Sequence, residues 1–244
     1  MVDHRSDDLL IGKLDKTDVP ELLSDLVMFL SMKDSDRAMD AIVDLFNRVD
    51  DPRVDEAAMF AIGRHGGDRA FEMLAGIVRD PSNDPEMRHQ ALFGISHTGR
   101  DEDVAALAVE LLKTDKDPEI LQAALFALSR TDTEVSGQVF LDLINNPQAD
   151  EDLRTQALFF AAERGQLDLA FLKEVYAKAE SRDMKLQVCH AITRMDDEDT
   201  ALDALIEIIR TEDDPEIRQE AVFWVSRFDN EKAAAFLLEV INEE

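Results

Sequence analysis

The chain has one cysteine, Cys189, in 244 residues, so it can form no internal disulfide and has no CxxC pair to bind zinc or cycle redox state. That usage fits a reducing compartment. Basic residues are also scarce: 26 Lys and Arg face 54 Asp and Glu, a formal net charge of −28. A field of that sign repels nucleic acid and anionic lipid, so neither is expected as a partner, and a basic protein fits better. No run of about 18 apolar residues occurs, and the stretch MVDHRSDDLLIGKLDK has neither an apolar core of secretory length nor a basic leader. The expectation is a soluble cytoplasmic protein without membrane contact. Strand-like alternation is missing, as are the GxSxG, phosphate-loop, HExxH and dinucleotide fingerprints and the DxDxDG spacing of a calcium loop. No cofactor and no metal are expected. Asp exceeds Glu and Arg exceeds Lys, which suits a high-salt habitat and equally an acidic helical repeat protein.

What the sequence does have is one phrase six times: DPRVDEAAMFAIG from Asp51, DPEMRHQALFGIS from Asp84, DPEILQAALFALS from Asp117, DEDLRTQALFFAA from Asp150, SRDMKLQVCHAIT from Ser181 and DPEIRQEAVFWVS from Asp214. The starts are 33, 33, 33, 31 and 33 residues apart. A period of that size means stacked supersecondary units whose core grows unit by unit. Asp followed by Pro is a helix start, because Asp accepts from free amides and Pro tolerates the first helical position. A second helix follows a short break, as in Thr98-Gly99-Arg100 before VAALAVELLK. Acidic links such as RDPSND, KTDKD and RTEDD separate the units. Residues 18–49 fit the plan loosely, from Val19-Pro20-Glu21. The prediction is one repeat domain, 18–244, with units near 18–50, 51–83, 84–116, 117–149, 150–180, 181–213 and 214–244. Residues 1–17 form a polar extension or a cap.

The DPE-hydrophobe-R opening, the Ala at the eighth position (Ala58, Ala91, Ala124, Ala157, Ala221) and the small-apolar close resemble HEAT repeats over residues 18–241. They are most similar to the short HEAT-like type that includes phycobilin-lyase subunits and bacterial scaffold modules. The resemblance implies an all-α, α-α superhelix, a right-handed solenoid of about seven two-helix repeats. It is specific for fold and weak for activity. It also implies that second helices line the inner curve, where Glu110, Asp142, Glu174 and Glu207, together with Glu72 and Glu239, would form an acidic groove for a basic partner or simply a soluble face.

Each helical residue advances 100°. In the third unit Met87, Ala91, Gly94 and Ile95 therefore share a core stripe. Phe60, Phe93, Phe126, Phe159, His190 and Phe223 fall roughly 150° away on the outward side. Two explanations stand. The rings fold into the seam between successive first helices, each contributing about 2 kcal/mol, or they form a partner-binding ladder, since exposed apolar patches mark binding sites. Gln90, Gln156, Gln187, Arg130, Arg194 and Arg227 flank them. A further column, Arg88, Arg154, Lys185 and Arg218, is read as pairing between neighbouring units. Asp55 and Leu121 break it.

Enzyme readings find little support. One HEAT family, deoxyhypusine hydroxylase, holds two irons with paired His-Glu motifs, whereas His89 here is followed by Gln90 and the other equivalent strings lack the pair. Adjacent Cys189 and His190 point about 100° apart on a helix, and Cys189 occupies a column of Met59, Leu92 and Leu125. A DNA-binding HEAT role would need a basic groove. The reading is a non-catalytic protein-interaction scaffold or regulatory subunit, with a phycobilin lyase-like chromophore-handling subunit as the alternative.

The segment EKAAAFLLEVINEE leaves little polar surface, against the rule that a terminal repeat turns a polar face outward. Trp224, Phe236, Leu237 and Val240 are candidates for an end covered by a second copy in a homodimer, or for bulk that closes the core.

Overall fold

The computed structural model describes residues 5–33 and 35–243; residues 1–4 of the predicted extension, Asp34 and Glu244 lie outside the described residues. Among the described residues it holds fifteen helices and no strand. Helix α1 (Arg5–Leu14) is followed by seven successive pairs: α2 (Pro20–Ser31) and α3 (Asp36–Arg48), α4 (Pro52–His65) and α5 (Gly67–Arg79), α6 (Pro85–Ile95) and α7 (Asp101–Thr114), α8 (Pro118–Ser129) and α9 (Glu134–Ile144), α10 (Glu151–Glu163) and α11 (Leu169–Lys178), α12 (Arg182–Thr193) and α13 (Glu198–Thr211), α14 (Pro215–Val225) and α15 (Glu231–Glu243). The fold class is all-α, an α-α solenoid of two-helix repeats. None of these helices is long and apolar enough to cross a membrane.

The repeated phrase starts helices for the reason its chemistry suggests. The carboxylates of Asp51, Asp84, Asp117 and Asp214 each accept the backbone N–H two residues on at 2.9–3.0 Å, with Pro at the first helical position. Asp150 and Ser181 cap α10 and α12 without proline. Such caps are worth about 1 kcal/mol each.

The chain forms two compact units, Met1–Ser136 and Gly137–Glu244. In the first, α2, α4, α6 and α8 lie side by side in order, and α3, α5 and α7 each pack on the next first helix. Val27, Leu30, Ile42, Met59, Ile62, Leu74, Leu92 and Ile95 are fully or almost fully buried there. Ala91, Gly94 and Ile95 of the predicted stripe are buried, with Met87 half-buried. Helices α4 and α6 meet backbone to backbone: a Cβ on Gly94 would lie 2.6 Å from the Met59 carbonyl oxygen, and one on Gly63 would run into the Gly94 carbonyl. Helix α1 lies on α2 and α3, burying Leu14, whose carbonyl accepts from Arg48 at 3.1 Å. In the second unit α10, α12 and α14 lie side by side, with α11 on α12 and α13 on α14. Its core includes Phe140, Leu158, Leu172, Val188, Leu202 and Leu205.

The cationic column works between elements. Arg88 is buried, donates from Nε to the Val78 carbonyl at 2.8 Å and pairs with Asp115. Burial alone would raise the Asp115 carboxyl, but the hydrogen bond from Arg88 and the backbone N–H groups of Asp117 and Lys116 together outweigh it and hold the carboxyl low. Arg154 donates likewise to the Ile144 carbonyl at 3.2 Å. Lys185 pairs with Glu212 at 2.8 Å, and Tyr176 donates to the same carboxylate at 2.5 Å. Those two donors hold Glu212 down at about 2. Asp55, which breaks the column, is also buried, and desolvation with help from Asp50 and Asp51 pushes its carboxyl up to about 6.

Candidate functional site

Each outward ring rides on a first helix whose opposite face is held in the core, so its register follows from the cap. In the first unit Phe60 is half-buried, while Phe93 and Phe126 are 43% and 37% exposed. Phe60 and Phe93 stack with centroids 6.1 Å apart and planes 20° off parallel. His97, just beyond α6, closes over them at 5.3 and 4.8 Å, its Nδ1 within 2.9 Å of the Phe93 carbonyl oxygen. In the second unit Phe159 stacks on His190 at 5.8 Å, His190 meets Trp224 at 5.3 Å, and Trp224 meets the edge of Phe223 at 5.2 Å. Phe159 and Phe223 remain 38% and 48% exposed. The rings lean into the seam and keep an outer face in water. Ring pairs of this geometry add about 1 kcal/mol beyond area burial.

The first repeat supplies a member that the sequence reading missed. Val19 caps α2 where Asp51 caps α4, and the tenth residue counted from each is Met28 and Phe60. Met28 is 38% exposed. The signal was Val19-Pro20-Glu21 standing for Asp-Pro-Glu, hidden because the rest of the phrase diverges.

The flanks differ between the units. A groove of about 490 Å³ opens between α2 and α4, floored by Met28, Ala57 and Phe60 and rimmed by Glu21, Asp25, Arg53 and Glu56. In the second unit a hollow of about 930 Å³ is lined by His190, Arg194, Phe223, Trp224, Arg227 and Asp229 among others. Arg194 pairs with Glu163 at 2.8 Å.

The second-helix acids are engaged already. Glu110 accepts from Arg79 at 3.0 Å, Glu207 from Lys173 at 2.5 Å and Glu239 from Arg210 at 3.0 Å, each pair linking successive second helices. Glu174 pairs with Lys178 at 2.5 Å, and Asp142 accepts from Gln138 at 2.7 Å. These are exposed contacts worth 0–1 kcal/mol each, roughly. Glu110, Glu174, Glu207 and Glu239 thus meet the chain's own cations, while Asp142 meets a neutral amide and Glu72 has no ion pair among the described residues.

The four candidates for the end are covered at least in part by the chain itself. Phe236 is buried, with the Arg210 guanidinium over its ring at 5.4 Å, and Trp224, Leu237 and Val240 are half-buried. Ala233, Phe236 and Val240, at i, i+3 and i+7, form the inward stripe of α15. The apolar residues left in water are on the other face, with Leu238 62% and Ile241 70% exposed.

Cys189 is fully buried, and burial pushes its thiol up to about 12, which removes the thiolate that a nucleophile needs. Burial also lowers the His190 imidazole. Among the described residues no group of three or more His, Cys, Asp and Glu side chains could hold a metal ion.

The family model for HEAT repeats matches residues 81–159 and 169–244. No curated protein matches the sequence. Among solved structures the chain is similar to human deoxyhypusine hydroxylase in complex with glycerol, at 15% identity over 94% of this chain and 90% of that one, with a TM-score of 0.44. A likeness at that level transfers no activity. The matched stretches cover more than half of the chain and fall on the helices from α6 onward, so the chain belongs to the HEAT-repeat family.

Proposed function

We propose that this chain is a non-catalytic scaffold or regulatory subunit that binds protein partners through the aromatic column on its first helices. One observation carries the reading. At the tenth position of the repeat, where an amphipathic helix would turn polar residues to water, Met28, Phe93, Phe126, Phe159 and Phe223 stay between 37% and 48% exposed. Aromatic side chains with one face packed and one face wet are rigid anchors, and binding energy concentrates on such residues. The charge of −28 favours a partner with basic as well as apolar groups. Self-paired second-helix acids make that surface the weaker candidate.

Affinity capture from cells of the source organism tests the reading. Wild type is compared with Phe93→Ser/Phe126→Ser, after thermal unfolding by circular dichroism has established that the double variant is folded. The double variant is expected to lose the specific partners. Equal capture by both proteins removes the column as the binding surface.

A further inference from the structure

We propose that the groove between α2 and α4 seats one amphipathic helix of a protein partner. In this arrangement an apolar side chain of the partner rests on Met28, Ala57 and Phe60, and its Lys or Arg residues face Asp25 and Glu56. This inference rests on the scaffold reading and gives the partner its chemistry.

The groove exists because of one register position. Between α4 and α6 the seam is filled, since Phe60 and Phe93 stack at 6.1 Å and His97 wedges against both. Between α2 and α4 the residue opposite Phe60 is Met28, an unbranched side chain that leaves about 490 Å³ open and is itself 38% exposed. Methionine adapts its shape to what binds it. The floor of the groove is therefore apolar and yielding.

The rim is acidic in a way that helix formation does not require. Glu21, Asp25 and Glu56 face one cation, Arg53, leaving two negative charges in excess. Arg53 is occupied, bonded to Glu21 and Asp51. Asp25 and Glu56 have no ion pair among the described residues. Favourable interaction of acids with the helix dipole is confined to the first turn. Glu21 lies in that turn of α2, whereas Asp25 is the sixth residue of α2 and Glu56 the fifth of α4. Two uncompensated carboxylates beside an apolar floor complement a cationic amphipathic segment. A helix is the form that fits, because a groove between two helices takes the apolar stripe of a third, and the described residues include no strand edge to extend. The twelve residues of α2 span about 18 Å, room for about three turns of partner helix.

The probe is a fluorescein-labelled Leu/Lys amphipathic peptide four turns long, with its Leu/Glu twin as control, titrated by fluorescence anisotropy at physiological salt. The chain is expected to bind the Lys peptide and not the Glu peptide. Met28→Ser/Asp25→Asn/Glu56→Gln is expected to weaken binding at least about tenfold, the scale of losing an anchor and its rim. Glu72→Gln/Asp142→Asn, which removes the same number of charges elsewhere on the first unit and α9, should stay within about twofold. Hydrogen exchange should show protection by the peptide over α2 and α4. No binding by wild type, or equal weakening in both variants, overturns the proposal by showing no site or only general charge attraction. Protection over α6 and α8 instead overturns the groove but leaves the column reading standing. Protection confined to second helices contradicts both. The three groove residues are not in the core, and melting temperatures within a few degrees of wild type would show that the variants are folded.

Discussion

The same helical register carries different chemistry in the two compact units. In repeats two to four the residue after each column ring is small, Ala61, Gly94 or Ala127, so first helices approach closely and α4 and α6 touch through backbone at Gly94. In the second unit that position holds Phe160, Ala191 and Trp224, and rings run in contact from Phe140 through Phe160, Phe159, His190 and Trp224 to Phe223. The flanks diverge as well. The first unit opens a groove at Met28 rimmed by three acids and one cation, whereas the second lines its hollow with both signs, Arg194 and Arg227 beside Asp196, Glu198 and Asp229. The repeat therefore fixes where a side chain points, and substitutions at neighbouring positions decide how tightly helices pack and which charge surrounds the exposed face.

Exchanging the two solutions should have the largest effect. Gly94→Trp installs the second unit's residue where a backbone carbonyl stands within 2.6 Å of any Cβ, and should cost more than about 4 kcal/mol or abolish folding in a urea titration. Trp224→Gly, the reverse exchange, should cost about 2 kcal/mol, from lost ring contacts and helix propensity.

Individual repeats also differ at the position four residues after the cap, where the second repeat has Asp55 and the sixth has Lys185. Asp55 is raised in the folded chain to about 6, so its contribution is fully present below its ordinary value of 3.8 and is lost as pH rises through 6. Asp55→Asn should therefore gain about 2 kcal/mol at pH 8 and nothing near pH 3. Glu212, held at about 2 by Lys185 and Tyr176, contributes stability that is present above 4.5 and is lost as pH falls through 2. Glu212→Gln should cost about 2 kcal/mol at pH 7 and little at pH 2. Urea titrations across pH check both, and parallel profiles for the two variants would show that the positions do not differ as described.

Smaller effects follow at the rings and the thiol. Phe93→Ser, a partly exposed ring in the first unit, should cost about 1 kcal/mol, far less than a core Phe. Cys189 should react with Ellman's reagent at pH 8 only as fast as the second unit opens, so that dilute urea accelerates labelling. Immediate labelling in buffer would contradict its burial.

Much of this was legible in the sequence because period and cap chemistry are local. Asp-Pro starts, the Ala column and the outward Phe column each depend on spacing along one helix. What the sequence could not supply depends on neighbours. Whether a ring at Phe93 stacks on Phe60 is decided by the helix before it. Glu110 looks like a free acid until α5 brings Arg79 to it, and Phe236 looks like surface until the inward stripe of α15 is fixed by Ala233 and Val240. Met28 was hidden for a different reason: the first repeat keeps the register of the phrase while losing its letters.

The central claim is that partners meet the first-helix column. Photo-crosslinking in cells of the source organism tests it most directly, with a benzoylphenylalanine placed singly at Phe93, Phe223, Glu110 or Glu207. The account predicts discrete partner adducts from Phe93 or Phe223 and none from Glu110 or Glu207. Adducts from the second-helix positions alone would contradict it.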